Sequence, residues 1–120
     1  GGDIFVCSSR PVTFGLFAGA HSPFTGKVRF RVAGGETRFG VCTSSGTVGH
    51  SLSFGKADAV AVLCASALDA DAAATALANR VQTADDIERV IAEAQNHEEI
   101  RGIIAAKDDR IGLWGAIDII

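Results

Sequence analysis

Methionine and tyrosine are absent from this 120-residue sequence, and proline occurs only twice. The opening Gly1-Gly2-Asp3-Ile4-Phe5-Val6-Cys7 already reads as a turn feeding an internal strand. With no initiating methionine, two expectations follow: a start removed by processing, or the second part of a longer polypeptide. Positive charge is not in excess either. Eleven Lys and Arg stand against fourteen Asp and Glu, a net charge of −3. That balance argues against a nucleic-acid partner, which would need a basic face. No apolar run approaches the roughly 20 residues that cross a bilayer, and no signal-peptide pattern is present, so no membrane partner is expected. Cysteine is sparse: Cys7, Cys42 and Cys64, an odd count without C-x-x-C spacing. Such residues fit small buried hydrophobes in a reducing cytoplasm better than a disulfide framework or a thiolate metal site.

What is present suits one domain over residues 1–120, with 48% hydrophobic and 21% charged residues. Ile4 to Cys7, Phe14 to Gly19 and Ala59 to Cys64 read as strands. Lys27 to Val32 alternates polar and apolar, the pattern of a half-exposed antiparallel strand. Gly34-Gly35 then turns the chain, with Thr37 to Cys42 returning as its partner. Ser66 caps a helix running to about Val81, with Ala70, Ala74, Leu77 and Val81 on one stripe. Thr83 and Asp86 form a capping arrangement for a second helix, whose apolar face is Ile87, Val90, Ile91 and Ala94. Asp85 and Arg89 make an i,i+4 pair on its wet side, and His97-Glu98-Glu99 extends it into solvent. Gly102–Ala106 and Ile111–Ile117 flank the polar tip Lys107–Arg110 of a closing hairpin. The predicted fold is α+β, a mixed, largely antiparallel sheet of five or six strands with two helices on one face.

Two segments carry candidate chemistry. The first runs from Ser44 to Lys56 and is too rich in Gly, Ser and Thr to form a core. It is not a nucleotide-hydrolysing phosphate loop. Gly49 to Gly55 is one residue too long, Ala57 stands where Ser or Thr would hold magnesium, and a strand follows the lysine. Backbone amides of Ser45 to Gly49 remain suited to an anion nest, with Lys56 adding a positive charge. His50, between Gly49 and Ser51, is either a structural hydrogen-bonder or a catalyst. Nothing in the sequence converges on His21 or His97. The second segment is the Ala-rich helix, where Asp71 and Thr75 share a face one turn apart. A carboxylate and a hydroxyl so placed suit a hard cation such as magnesium, with waters or phosphates completing the shell. The alternative is that Thr75 bonds back to the Asp71 carbonyl while Asp71 sits in water.

Four segments resemble the ApbE-like superfamily, best known for FAD:protein FMN transferases. Gly1-Gly2-Asp3-Ile4 resembles its GGDI turn. Thr43-Ser44-Ser45-Gly46 is similar to its A-T-S-G segment, and Gly49-His50-Ser51-Leu52 to its S-H-I-x segment. Ala70-Asp71-Ala72-Ala73-Ala74-Thr75-Ala76-Leu77 resembles its A-D-x-x-x-T-A-L helix, the most specific of the matches. The closing hairpin fits its last strands. The resemblance implies the C-terminal half of an ApbE-like domain, with His50 lining a flavin site and Asp71 and Thr75 as magnesium ligands. It further implies an N-terminal half, in the same precursor or another chain, that supplies part of the pocket and a backbone metal ligand. The departures are equally specific. Where the family continues with D-P-x-T-G, this sequence has Ser53-Phe54-Gly55-Lys56, which marks a prokaryotic branch distinct from the true flavin transferases.

Three functional readings remain open. In the first, a magnesium-assisted enzyme acts on FAD or another nucleotide diphosphate. Asp71 and Thr75 hold the metal. The backbone around Ser44, Ser45, Gly46, Thr47 and Gly49, with Lys56, cradles phosphate, and His50 orients or deprotonates a group. In the second, the pocket binds flavin or nucleotide but has lost transfer chemistry. In the third, the chain is a structural subunit whose loop packs on a partner. A homo-oligomer is compatible with all three.

Overall fold

The computed structural model describes residues 3–7, 13–15, 28–32, 38–44, 57 and 59–119. In chain order the elements are β1 (Asp3–Cys7), β2 (Thr13–Gly15), β3 (Arg29–Val32), β4 (Arg38–Ser44), β5 (Ala59–Cys64), α1 (Ala67–Ala78), α2 (Asp86–Ala94), β6 (Ile100–Lys107), β7 (Arg110–Gly115) and β8 (Ile117–Ile119). The α+β class read from the sequence is the one observed, but the strands form two sheets. One has five strands in the order β1-β4-β5-β6-β7; the other has three, β2-β3-β8. Every ladder is antiparallel.

β5 shows how the layers assemble. All six of its residues are buried, as an uninterrupted Ala59-Val60-Ala61-Val62-Leu63-Cys64 run requires of a strand covered on both faces. Val60, Val62 and Cys64 join Cys42, Ile103 and Ala105 beneath the two helices. Ala61 and Leu63 point the other way, with Phe39, Val41 and Ile104, against Phe30 and Ile117 of the small sheet. There Phe14 stacks on Phe30, centroids 5.3 Å apart, and meets Phe39 edge-on at 6.2 Å. The result is three layers: helices, five-stranded sheet, three-stranded sheet.

This layering corrects one expected pairing. β4 does not return beside β3; it lies between β1 and β5, while β3 pairs with β2 and β8. Phe39-Gly40-Val41-Cys42 is buried throughout and belongs in the middle of a covered sheet. β3 alternates, with Phe30 buried and both arginines exposed, as a strand with one wet face does. The strand expected over Phe14–Gly19 appears as β2; residues 16–19 lie outside the described set.

α1 begins where the sequence places it. The Ser66 Oγ accepts a hydrogen bond from the Asp69 N–H at 3.1 Å, satisfying one of the first-turn donors. Regular helix stops at Ala78, short of Val81, because the Arg80 and Val81 amides bond to carbonyls three residues back in a tightened last turn. The four expected stripe residues, Val81 included, are buried. The first turn of α1 lies directly on β4 at Gly40. A Cβ there would overlap the Ala67 nitrogen and the Ser66 carbonyl carbon, so only glycine permits the approach. The Cys42 thiol, two residues on, donates to the Ala67 carbonyl at 3.2 Å.

α2 uses half of the expected capping arrangement: the Asp86 carboxylate accepts from the Gln82 and Thr83 amides at 2.8 and 3.1 Å. These N–H donors, with Arg89 beside them, hold the Asp86 pKa below its ordinary value. Arg89 pairs with Asp86 at 2.9 Å rather than with Asp85, which reaches across to Arg110 at 3.1 Å. β6 and β7 form the expected hairpin only as far as Gly115, Ile117 belonging instead to β8; Lys107 lies opposite Arg110, and Asp108 is in the left-handed region at φ 56°. Gly115, at φ 91°, then turns the chain out of the five-stranded sheet so that β8 can join the small one.

Candidate functional site

Three of the sequence-predicted site residues fall among the described ones: Ser44, Asp71 and Thr75. The anion-nest residues Ser45, Gly46, Thr47 and Gly49, together with His50 and Lys56, lie outside them. Ser44 ends β4 and is half-buried. By strand alternation it shares with Gly40 and Cys42 the sheet face that α1 covers. α1 rests on β4 and β5 and reaches β1.

Along α1, successive residues advance by about 100°. Ala70, Ala74, Leu77 and Ala78 form the buried arc. Asp71, exposed, and Thr75, half-buried, occupy one flank of that arc. They stand one turn apart, as the sequence predicts. Among the described residues, no cluster of three or more His, Cys, Asp or Glu is placed to hold a metal ion. A cation on this flank would therefore have one carboxylate and one hydroxyl as side-chain ligands from the described residues. That donor set fits magnesium, which binds through few carboxylates, keeps waters and takes phosphate oxygens.

The other flank of α1 carries a feature that sequence reasoning missed. Between α1, the end of α2 and the start of β6 lies a groove of about 510 Å³. Ala73, Leu77 and Ile100 line it, with Asp69, His97 and Glu99 among its polar residues. Arg80 and Glu93 close one side through an ion pair of 3.0 Å. His97-Glu98-Glu99 does not extend α2; it turns the chain into β6, with the His97 Nδ1 3.5 Å from the Glu99 Oε1. The expectation that nothing converges on His97 is thus corrected. The only sequence signal was the i, i+4, i+11 spacing of Asp69, Ala73 and Arg80; the other wall comes from tertiary packing.

Cys64 is buried at the end of β5. Burial, reinforced by the Asp69 and Glu99 carboxylates, pushes its thiol from 9.0 up to about 11, so it stays protonated at neutral pH. Cys42 is likewise buried, with its thiol held against the Ala67 carbonyl.

These features define an α+β domain in which an Ala-rich helix lies against a fully covered antiparallel sheet. The chain belongs to the family described as AbpE bacteria, whose model matches residues 1–100. It is similar to UPF0280 proteins of methanogenic archaea. That of Methanocaldococcus jannaschii is 43% identical over 122 residues, covering 98% of this chain and 50% of the relative. That of Methanothermobacter thermautotrophicus is 45% identical over 121 residues, covering 98% and 46%. That of Methanoculleus marisnigri is 44% identical over 115 residues, covering 96% and 46%. The chain spans about half the length of the curated relatives it matches. Among the described residues no helix is long and apolar enough to cross a membrane.

Proposed function

We propose that this chain contributes the metal side of a magnesium-dependent site for FAD or another nucleotide diphosphate. One observation carries the reading. Asp71 and Thr75 project from the flank of α1 turned away from the α1–α2 groove, on the same side of the sheet as Ser44. In sequence, the Gly- and Ser-rich segment follows directly from Ser44. Asp71 and Thr75 hold the ion; when bound, it neutralises phosphate charge. Backbone N–H groups around Ser45, Gly46, Thr47 and Gly49 take the phosphate oxygens, Lys56 adds a cation, and His50 orients the bound group. With so few protein ligands, metal and phosphate bind together rather than in sequence.

The test is FAD binding to the complete protein with and without magnesium, followed by flavin fluorescence. Asp71→Asn is expected to weaken magnesium-dependent binding by at least about tenfold, the loss of one charge-assisted contact. Binding without magnesium and the melting temperature should stay unchanged. Equal affinity in variant and parent would remove the metal role. Ser53-Phe54-Gly55-Lys56, in place of D-P-x-T-G, favours a second reading in which the site binds without transfer. AMP release from FAD separates the two: binding with no AMP formed supports the second.

A further inference from the structure

α1 leaves the end of β5 through Ala65 and Ser66, and its first turn sits on Gly40 of β4, the residue opposite Cys64. β4 and β5 are antiparallel, so a helix that turns back along β5 runs in the direction of β4. α1 rests on both strands. Ala67, Asp71 and Thr75 form one i, i+4 row that starts over Gly40, and none of the three lines the α1–α2 groove.

Levels along the two elements follow from their rise, about 1.5 Å per residue in a helix and about 3.4 Å in a strand. Measured from the Ala67–Gly40 contact, Asp71 stands ~6 Å along, level with Cys42 at ~7 Å, and Thr75 stands ~12 Å along, beside Ser44 at ~14 Å. β4 pairs with β5 in unbroken register from Gly40 to Ser44, so the alternation that turns Cys42 toward α1 turns Ser44 the same way. Ser44 and Thr75 are both half-buried. Among the described residues no hydrogen bond engages either hydroxyl. Helical side chains lean toward the N-terminus, so an ion held by Asp71 and Thr75 lies between their levels, ~5 Å short of Ser44. That is too far for direct coordination of magnesium at about 2.1 Å, and within reach of a phosphate oxygen bound to the ion.

We propose that the Ser44 side chain is a phosphate-binding group: its Oγ–H donates a hydrogen bond to the phosphate that the cation bridges. This rests on the reading of Asp71 and Thr75 as metal ligands and adds what β4 recognises in the same ligand. α1 supplies a carboxylate and a hydroxyl to the ion. β4 supplies an uncharged donor to an oxygen of the phosphate, and a serine hydroxyl needs no proton loss to do so. Ser44 therefore selects for the phosphate anhydride and not for the organic group attached to it. Inorganic pyrophosphate engages it as FAD does; riboflavin, which has no phosphate, does not.

Calorimetric titration of the complete protein with inorganic pyrophosphate, at a series of magnesium concentrations from zero, tests this. Ser44→Ala is expected to weaken pyrophosphate binding by about tenfold, the loss of one hydrogen bond to a charged group. The gain in affinity that magnesium brings should be the same as in the parent. Ser44→Thr keeps the hydroxyl and should bind as the parent does. Asp71→Asn should do the reverse of Ser44→Ala, removing the magnesium gain and leaving magnesium-free binding in place. If Asp71→Asn behaves so while Ser44→Ala binds as the parent does, the Ser44 contact is overturned and the metal reading stands. A Ser44→Ala variant that loses only the magnesium gain would make the hydroxyl a ligand of the ion and overturn the phosphate contact. So would a loss that Ser44→Thr does not restore. A parent that binds no pyrophosphate at any magnesium concentration overturns both readings together.

Discussion

At Gly40 the absence of one carbon atom decides how close a helix can come to a sheet. The first turn of α1 lies against that backbone, with the Ala67 nitrogen and the Ser66 carbonyl carbon where a Cβ would be. Gly40→Ala must therefore lift α1 off β4, loosening the Cys42–Ala67 contact as well. The expected cost is about 3 kcal/mol, at the upper end of the range for overpacking, because backbone rather than a side-chain tip has to yield. Urea unfolding measures it, and a change below about 0.5 kcal/mol would show that α1 is not held there. Ser66, next to this contact, was readable as a cap because Ser before a helical stripe has a local reason to be there. Gly40 was not readable, because its reason is a residue 27 positions away on another element.

At the level of elements, α1 and α2 contrast. α2 is amphipathic, with Ile87, Val90 and Ala94 inward and charge outward. α1 is apolar on nearly every side: Leu68 is 78% exposed, and Ala72 and Ala76 face out beside it. Burial, not hydrophobicity, should set the cost of truncation. Ile103→Ala, in the closed layer under the helices, is expected to cost about 2–5 kcal/mol. Leu68→Ala should change stability by no more than about 0.5 kcal/mol. Chemical denaturation of both variants checks the contrast, and a large loss at Leu68 would contradict the exposure. Both helices, β5 and the closing hairpin were legible because period, caps and turn residues are local signals. The neighbour of β4 was not, since alternation tells which face a strand buries but not which strand lies beside it. The spacing of Asp71 and Thr75 could be read directly. The groove on the opposite flank could not, because Arg80, Glu93 and His97 are brought together only when α1, α2 and β6 pack.

Across the whole molecule, Cys64 links alkaline pH to stability. Its folded-state pKa is raised to about 11 from 9.0. The folded protein therefore keeps its proton in a range where the unfolded chain has lost it. The stabilisation is full below pH 9.0 and is lost progressively as pH rises toward 11. Cys64→Ala should flatten the decline of melting temperature over that interval relative to the parent; parallel declines would rule the thiol out as its source. The pairing of β3 carries a last consequence, for the order in which the molecule can be made. Val32 lies opposite Ile117, with most of the chain between them. On a ribosome adding about 5–20 residues per second, the small sheet waits several seconds for its third strand. Until then the Phe39 and Leu63 side of the large sheet is only partly covered. The nascent chain is exposed to wrong partners in that interval, because the layer that shields it closes only after β7 has been made.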